Sequence, residues 1–338
     1  MNKTMKISEV YKPRSSRIID INIKEPKVNE ILIKVKACGI NGSEYFSWNN
    51  AGNPPIYLGH EASGEVICVG KGVLGFKPGD NVTGLFRDCF AEYSVIDSSS
   101  VMKFPKTLRF DEAALGEPIS CVISGALRTE VGLGKTIVII GLGFMGLMVL
   151  QLMRLKGAYK IIAIDTRKEM SELAKHYGAD EFYTPEGVPE KYILMDYKGK
   201  KEGLGEAKRL QDKFTYTGIA SNGVDIVIEC TGKEEAFALA IKMLKCHSIL
   251  SIVGYHQGGL RNVDLQMLNW KAVDIINAHE KRIDFKMNCM DIGMRLVEKG
   301  QLKIKDLITH YYNINNIDMA FKDFEEKPKG YIKGVLRF

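Results

Sequence analysis

The chain has no CxxC pair and no paired cysteine spacing, and its cysteines number 7, an odd count. That favours reduced thiols in a cytosol over a disulfide framework. No apolar run approaches the ~18 residues that a membrane helix needs. Residues Met1 to Tyr11 hold no apolar core of signal-peptide length. The expectation is a cytoplasmic protein with no membrane partner. The net charge is +6, yet lysine and arginine are scattered. The nearest approach to a basic run, Lys198 to Lys201, is interleaved with glycine and reads as a solvated loop, so no nucleic-acid partner is expected. Internal repeats and low-complexity tracts are also lacking. What is present is ordinary for a globular chain: 338 residues, 45% hydrophobic and 26% charged, a length that suits about two domains.

The most informative stretch runs from Lys135 to Asp165. Thr136-Ile137-Val138-Ile139-Ile140 reads as a strand buried on both faces, the pattern of a parallel sheet. Gly141-Leu142-Gly143-Phe144-Met145-Gly146 follows, then an apolar helical pattern from Leu147 to Lys156 stopped by Gly157. A second buried run, Lys160 to Ile164, ends at Asp165. Gly141 permits a tight turn, Gly143 lets a pyrophosphate approach the backbone, and Gly146 lets helix and sheet pack closely. The helix N-terminus offers free N–H groups and partial positive charge to the phosphates. Asp165 stands 19 residues after Gly146, where a carboxylate accepts both hydroxyls of an adenosine ribose and repels a 2′-phosphate. This predicts NAD as cofactor, with Arg167 as the residue nearby that argues for a phosphate.

Residues 1 to about 110 read as all-β, with strands at Ile18 to Ile23, Glu30 to Ala37, Gly64 to Gly70, Asn81 to Thr83 and Phe90 to Ile96, the pattern of a small barrel. From Asp111 a helical pattern continues through Glu117-Pro118 to Val131. Strand and helix then alternate. Helix Lys168 to Tyr177 is followed by strand Val224 to Glu229, with Thr231-Gly232 after it. Helix Glu234 to Leu244 and strand Ser248 to Val253, closed by Gly254, come next. That is βαβ repetition and a doubly wound parallel sheet. Residues 184–222 are polar and glycine-dotted and suggest no function. After about 276, helix Asp284 to Lys299, Ile308-Thr309-His310 and a last strand close the chain and are expected to return to the first domain. The domains predicted are 1–121 with 277–338, and 122–276.

These residues resemble the medium-chain, zinc-dependent alcohol and polyol dehydrogenases over nearly the whole length. The anchors are Gly39-Ile40-Asn41-Gly42-Ser43-Glu44, Gly59-His60-Glu61-Ala62-Ser63-Gly64, Gly79-Asp80, Phe90-Ala91-Glu92-Tyr93, Glu117-Pro118, the glycine turn and Leu307-Ile308-Thr309-His310. The resemblance implies an α/β protein: a GroES-like β-barrel catalytic domain plus a Rossmann NAD-binding domain, with catalysis in the cleft between them. It implies one catalytic zinc, Zn2+ held by His60, Glu61 and Glu117 with Asn41 as a weak or indirect contact. Asn41 stands where the family has cysteine, and an amide oxygen is a poor zinc ligand. Cys38, three residues earlier, reads as a small apolar strand residue. No structural zinc is expected, because only six residues separate Thr83 from Phe90 and Cys89 is alone among them.

The resemblance also makes Ser43 the start of a proton relay, against a plain turn residue. Phe46 stands where classical relatives end the relay in histidine, so the proton is expected to leave through water near Glu44 or Glu61. Trp48 either walls the substrate pocket or packs the core. Thr231, Gly254 and Asn277 complete the cofactor edge. The segment Asn277-Ala278-His279-Glu280-Lys281-Arg282 follows no family pattern: His279 and Lys281 bind an acidic or polyhydroxylated substrate, or form a charged rim. His256 is a further cleft candidate, while His176, His247 and His310 read as structural. The family implies a homodimer or homotetramer. Three functions remain open: NAD-dependent oxidation of a secondary hydroxyl on a polyol, sugar or sugar acid; a lyase or epimerase that oxidises transiently with tightly bound NAD; and a non-catalytic NAD-binding protein.

Overall fold

The computed structural model describes residues 4–194 and 223–338. Of the polar stretch 184–222, residues 195–222, including Lys198 to Lys201, lie outside the described residues. The chain divides into two units, residues 1–124 with 280–338, and residues 125–279.

The first unit begins with β1 (Thr4–Lys12), β2 (Ser15–Asn22) and β3 (Glu30–Gly39). Then come α1 (Gly42–Asn49), β4 (Ile56–Tyr57), β5 (Ala62–Val69), β6 (Asn81–Gly84), β7 (Tyr93–Asp97) and β8 (Val101–Lys103). α2 (Phe110–Ala113) and α3 (Gly116–Arg128) complete its N-terminal part. The axis of the unit is β3, whose Ile31, Ile33 and Val35 are fully buried. One edge of β3 pairs antiparallel with β5. Its other edge is shared, with β7 along residues 30–34. Trp48 and Phe321 stack in the core at 5.1 Å between ring centroids.

The second unit contains β9 (Thr136–Ile140), α4 (Phe144–Leu155), β10 (Lys160–Ile164), α5 (Met170–His176), β11 (Glu181–Tyr183) and β12 (Val224–Glu229). α6 (Glu234–Met243), β13 (Leu244–Ile252), α7 (Leu265–Trp270) and β14 (Asp274–Asn277) follow. The strands form one parallel sheet in the order β11-β10-β9-β12-β13-β14. That is the doubly wound order, whose switch point lies between β9 and β12. The chain then returns to the first unit as α8 (Ile283–Glu298), β15 (Ile308–Tyr312), α9 (Ile317–Glu326) and β16 (Lys333–Arg337). β16 takes the remaining edge of β3, with Val335 opposite Gly39.

Three sequence expectations need correction. The first hundred residues are not all strand, because α1 forms at residues 42–49. Asn41 caps it by accepting from the Ser43 N–H at 2.9 Å, and the Glu44 carboxylate accepts from the Asn41 N–H at 3.3 Å. This reciprocal capping box stabilises a helix too short to show an apolar stripe. The helix expected over 111–131 is two helices, α2 and α3, with Pro118 tolerated in the first turn of the second. β1, β4 and β8 were absent from the strands expected in this region.

Lys271 shows how this fold spends a buried charge. Only 2% exposed, its Nζ donates to the carbonyls of Ile241 (2.6 Å) and Lys242 (3.2 Å) at the end of α6. Burial holds its pKa down to about 8. The folded state therefore binds fewer protons than the unfolded chain between about pH 8 and the ordinary lysine value. Stability from this group rises with pH across that window. Lys271→Met is expected to cost about 2 kcal/mol by leaving two carbonyls unpaired. The melting-temperature gap to wild type should widen from pH 8 to 10.

Candidate metal and cofactor sites

The metal-ligand candidates are assembled by strand pairing. β3 and β5 align with Cys38 opposite Ala62, so the residues after β3 meet those before β5. The Gly39 N–H donates to the Glu61 carbonyl at 2.8 Å. Gly39 leaves room for the Glu61 carboxylate, since a Cβ there would overlap Glu61 Oε2 where it stands. Glu117 enters from the first turn of α3. His60, Glu61 and Glu117 each turn one ligand atom inward, and these atoms all lie within 4.8 Å of one another.

Each ligand candidate is held from behind. His60 Nδ1 lies 2.8 Å from Glu44 Oε1, which also accepts from the Gly59 N–H at 2.8 Å. This fixes the ring and leaves Nε2 facing Glu117 Oε2 at 3.9 Å. Glu61 is 0% exposed. Its Oε1 accepts from Asn41 Nδ2 at 2.5 Å, and its Oε2 pairs with Lys333 Nζ at 2.6 Å. Lys333 also donates to the Ile40 carbonyl at 2.7 Å. Glu117 Oε1 accepts from Lys286 Nζ at 3.0 Å and sits 3.6 Å from Cys121 Sγ.

The electrostatics follow from this packing. Burial would lower the His60 pKa, but Glu44, then Glu117 and Glu61, outweigh it and raise the value to about 9. Burial pushes the Glu61 carboxyl up against the pull of Lys333 and His60. Glu117 is held below the usual range, because His60 and Lys286 overcome its burial. A cluster of one imidazole and two carboxylates, each with a ligand atom within 4.8 Å of the others, fits a divalent cation. Ligand atoms of tetrahedral zinc stand roughly 3.3 Å apart, so the set closes by about 1.5 Å at most.

The other expected residues sort as follows. The Asn41 amide oxygen accepts from the Ser43 N–H and from Ser43 Oγ at 3.1 Å, while its nitrogen supports Glu61. Asn41 thus touches the ligand set through Glu61 and does not offer its oxygen to it. Ser43 joins the cluster through Asn41. Glu44 and Glu61 are both buried, and Glu44 sits against the His60 ring. Trp48 does not wall a pocket: it is 0% exposed, and its Nε1 donates to Asp318 Oδ1 at 2.8 Å. Cys38 is a buried thiol whose pKa burial drives well above normal. His279 and Lys281 are exposed, His279 stacking on Tyr255 at 5.5 Å.

Lys286, Lys333 and Cys121 were missed by sequence reasoning, although two of them left a signal. Lys286 falls on the same helical face as Met290, Gly293 and Val297, all buried. Lys333 interrupts an apolar run between Ile332 and Val335. A charge in either place needs a buried partner.

In the second unit the cofactor candidates gather at the carboxyl ends of the parallel strands. Gly141 follows β9 with φ +92°, and Gly143 precedes α4 with open space where a Cβ would point. A Cβ on Gly146 would overlap the Gly141 carbonyl. Phe144 and Met145 open α4. Asp165 follows β10, its Oδ2 accepting from the Leu142 N–H at 2.7 Å. Arg167 Nε donates to Asp165 Oδ1 at 3.0 Å. Thr231 follows β12 and bonds Glu229 Oε1 through both N–H and hydroxyl at 2.5 Å. Gly254 follows β13, and Asn277 ends β14. His256 is engaged by Glu229, at 3.0 Å from Oε2.

Residues 27–106 match the alcohol dehydrogenase GroES-like domain, and residues 145–287 match the zinc-binding dehydrogenase domain. The chain belongs to the zinc-type medium-chain dehydrogenase family. L-threonine 3-dehydrogenase of Pyrococcus abyssi is 25% identical over 98% of both chains. Sorbitol dehydrogenase of Bacillus subtilis is 26% identical over 95% of this chain and 93% of its own. Among solved structures, 2R,3R-butanediol dehydrogenase of Bacillus subtilis shares the fold at TM-score 0.78 with 22% identity, covering 99% of each chain. This family member is an enzyme of the alcohol and polyol dehydrogenase class, with a GroES-like domain and a Rossmann-like parallel sheet. Among the described residues, no helix is long and apolar enough to cross a membrane.

Because the His60 value is raised, its charge stabilises the metal-free protein below about pH 6.5, and this stability is lost as pH rises to about 9. A zinc ion held by His60 would compete with that proton. Its affinity, measured by chelator competition, should rise steadily with pH up to about 9 and flatten above it. Glu44→Gln should weaken zinc binding about 10- to 100-fold while lowering the pH at which the rise ends.

Proposed function

We propose that the chain catalyses NAD-dependent oxidation of a secondary hydroxyl on a polyol, sugar or sugar acid. The observation that carries this is the convergence of His60, Glu61 and Glu117 in one buried set. These three residues would hold a single catalytic zinc, and no structural zinc is proposed. Zinc held there supplies a Lewis acid that polarises the substrate hydroxyl. Glu44 keeps the His60 Nε2 lone pair directed at the ligand set. Asn41 and Lys333 hold Glu61 in place. Ser43, bonded to Asn41, lies at the edge of this network and takes the proton-relay role. The net reaction removes a hydride to the nicotinamide and a proton to solvent.

The first unit thus supplies the metal ligands, and the second supplies the dinucleotide site. Gly141, Gly143 and Gly146, with the α4 N-terminus, take the pyrophosphate. Asp165 takes the adenosine ribose. Arg167 is drawn onto Asp165, which supports NAD over NADP because its guanidinium is already paired. Relatives carry names for threonine, sorbitol and xylulose, so family membership leaves the substrate open. Transient oxidation by a lyase or epimerase is not favoured by these relatives. A homodimer or homotetramer in the cytoplasm belongs to the same proposal.

Purified zinc-loaded protein should produce NADH with NAD and a panel of polyols, sugars and sugar acids. The absence of NADH with every substrate, together with no NAD binding, would end this reading. Asp165→Ala should raise the KM for NAD by at least about tenfold, from loss of charge-assisted ribose bonds, and leave that for NADP unchanged or lower.

A further inference from the structure

Glu229 is another carboxylate with no exposed surface, and it belongs to the second unit. It ends β12, between Ile140 of β9 and Ile252 of β13 in the sheet register. Its Oε1 accepts from the Thr231 N–H and the Thr231 hydroxyl, both at 2.5 Å, and from the Gly232 N–H at 2.9 Å. Its Oε2 faces His256 Nε2 at 3.0 Å. Buried charged groups seldom add stability over apolar side chains of similar volume. A fold that had only to cover the ends of β12 and β13 would use apolar residues there. What the carboxylate supplies is direction, since every group around it is held along a hydrogen bond.

The network ties successive loops together. The Thr231 methyl group packs against the glycine turn, and a Cβ on Gly141 would overlap it. The loop after β12 thereby meets the loop after β9, across the switch point. The loop after β13 meets the loop after β12 through backbone: a Cβ on Gly254 would overlap Gly232 N, and a Cβ on Gly232 would overlap the Tyr255 carbonyl. His256 closes this seam on Glu229. Its ring stands edge-on to Phe237 of α6 at 5.8 Å, and its Nδ1 is buried, so the ring acts through Nε2. Tyr255, the residue before, is 60% exposed and stacks on His279, which follows β14.

Dinucleotides lie across the switch point, outside the carboxyl ends of the strands. Asp165, after β10, takes the adenosine side in the reading above, so the nicotinamide half falls on the side of β12, β13 and β14. We propose that His256 is a positioning residue for that half. Through Glu229 it fixes the loops after β12 and β13, which form the surface the nicotinamide end rests on. This inference rests on the dinucleotide reading and adds to it a residue on the side opposite Asp165.

The test is calorimetric titration of the protein with NADH and with ADP-ribose, which has every part of the cofactor except the nicotinamide ring. His256→Phe keeps a ring but removes the bond to Glu229. It should weaken NADH binding by about tenfold, the scale of losing one hydrogen bond to a charged group, and ADP-ribose binding by less than about twofold. His256→Gln, which carries an N–H donor at the reach of Nε2, should bring NADH binding back to within about threefold of wild type. If His256→Phe does not fold, His256→Asn, too short to reach Glu229, reads the same ratio. Equal weakening of both ligands, unchanged NADH binding in the variant lacking the bond, or a Gln variant no better than that one would overturn the inference and leave the dinucleotide reading intact. Failure of wild-type protein to bind either ligand would overturn the dinucleotide reading itself.

Discussion

A carboxylate with no exposed surface is tolerable only where other groups replace the water it has lost, and Glu61 is such a carboxylate. Lys333 supplies the charge and Asn41 supplies a hydrogen bond. Both partners depend on β3: Asn41 follows it directly, and Lys333 opens β16, which pairs along its edge. Gly39, at the end of the same strand, leaves the room that Glu61 occupies. The register of this sheet therefore determines the site. Slipping β16 by one residue would turn Lys333 to the other face and strand the carboxylate.

The same economy explains α1. Asn41 and Glu44 make the capping box that lets an eight-residue helix form, and each uses its remaining polar atoms on the ligand set. Asn41 reaches Glu61, and Glu44 reaches His60. Helix capping and ligand orientation are one network. A residue in this chain that differs from the family's cysteine is accommodated because its amide both caps and supports.

Much of the second unit was legible because its signals are local. The buried runs at Thr136–Ile140, Lys160–Ile164 and Val224–Glu229 coincide with β9, β10 and β12. A parallel strand covered on both faces must be apolar at every position, which makes it visible as a run. The first unit was less legible. Its strands are short and half exposed, α1 was hidden in a turn-like sequence, and the role of Trp48 rested on a resemblance that packing against Phe321 overrules. The lysines of the site went unseen because a lone lysine is ordinary in sequence and becomes informative only when its neighbours are known to be buried.

By itself, then, the sequence determined the doubly wound unit, its glycine turn and the acid at the end of the second strand. Turn, helix and strand there lie within about thirty residues, and their periodicities are set by local geometry. It also named His60, Glu61 and Glu117, through a resemblance carried by short motifs. Only the tertiary structure decided what surrounds them. Residues 41, 61, 117, 286 and 333 meet through strand pairing and helix packing across nearly the whole chain, and the balance of charge among them exists only once they are buried together.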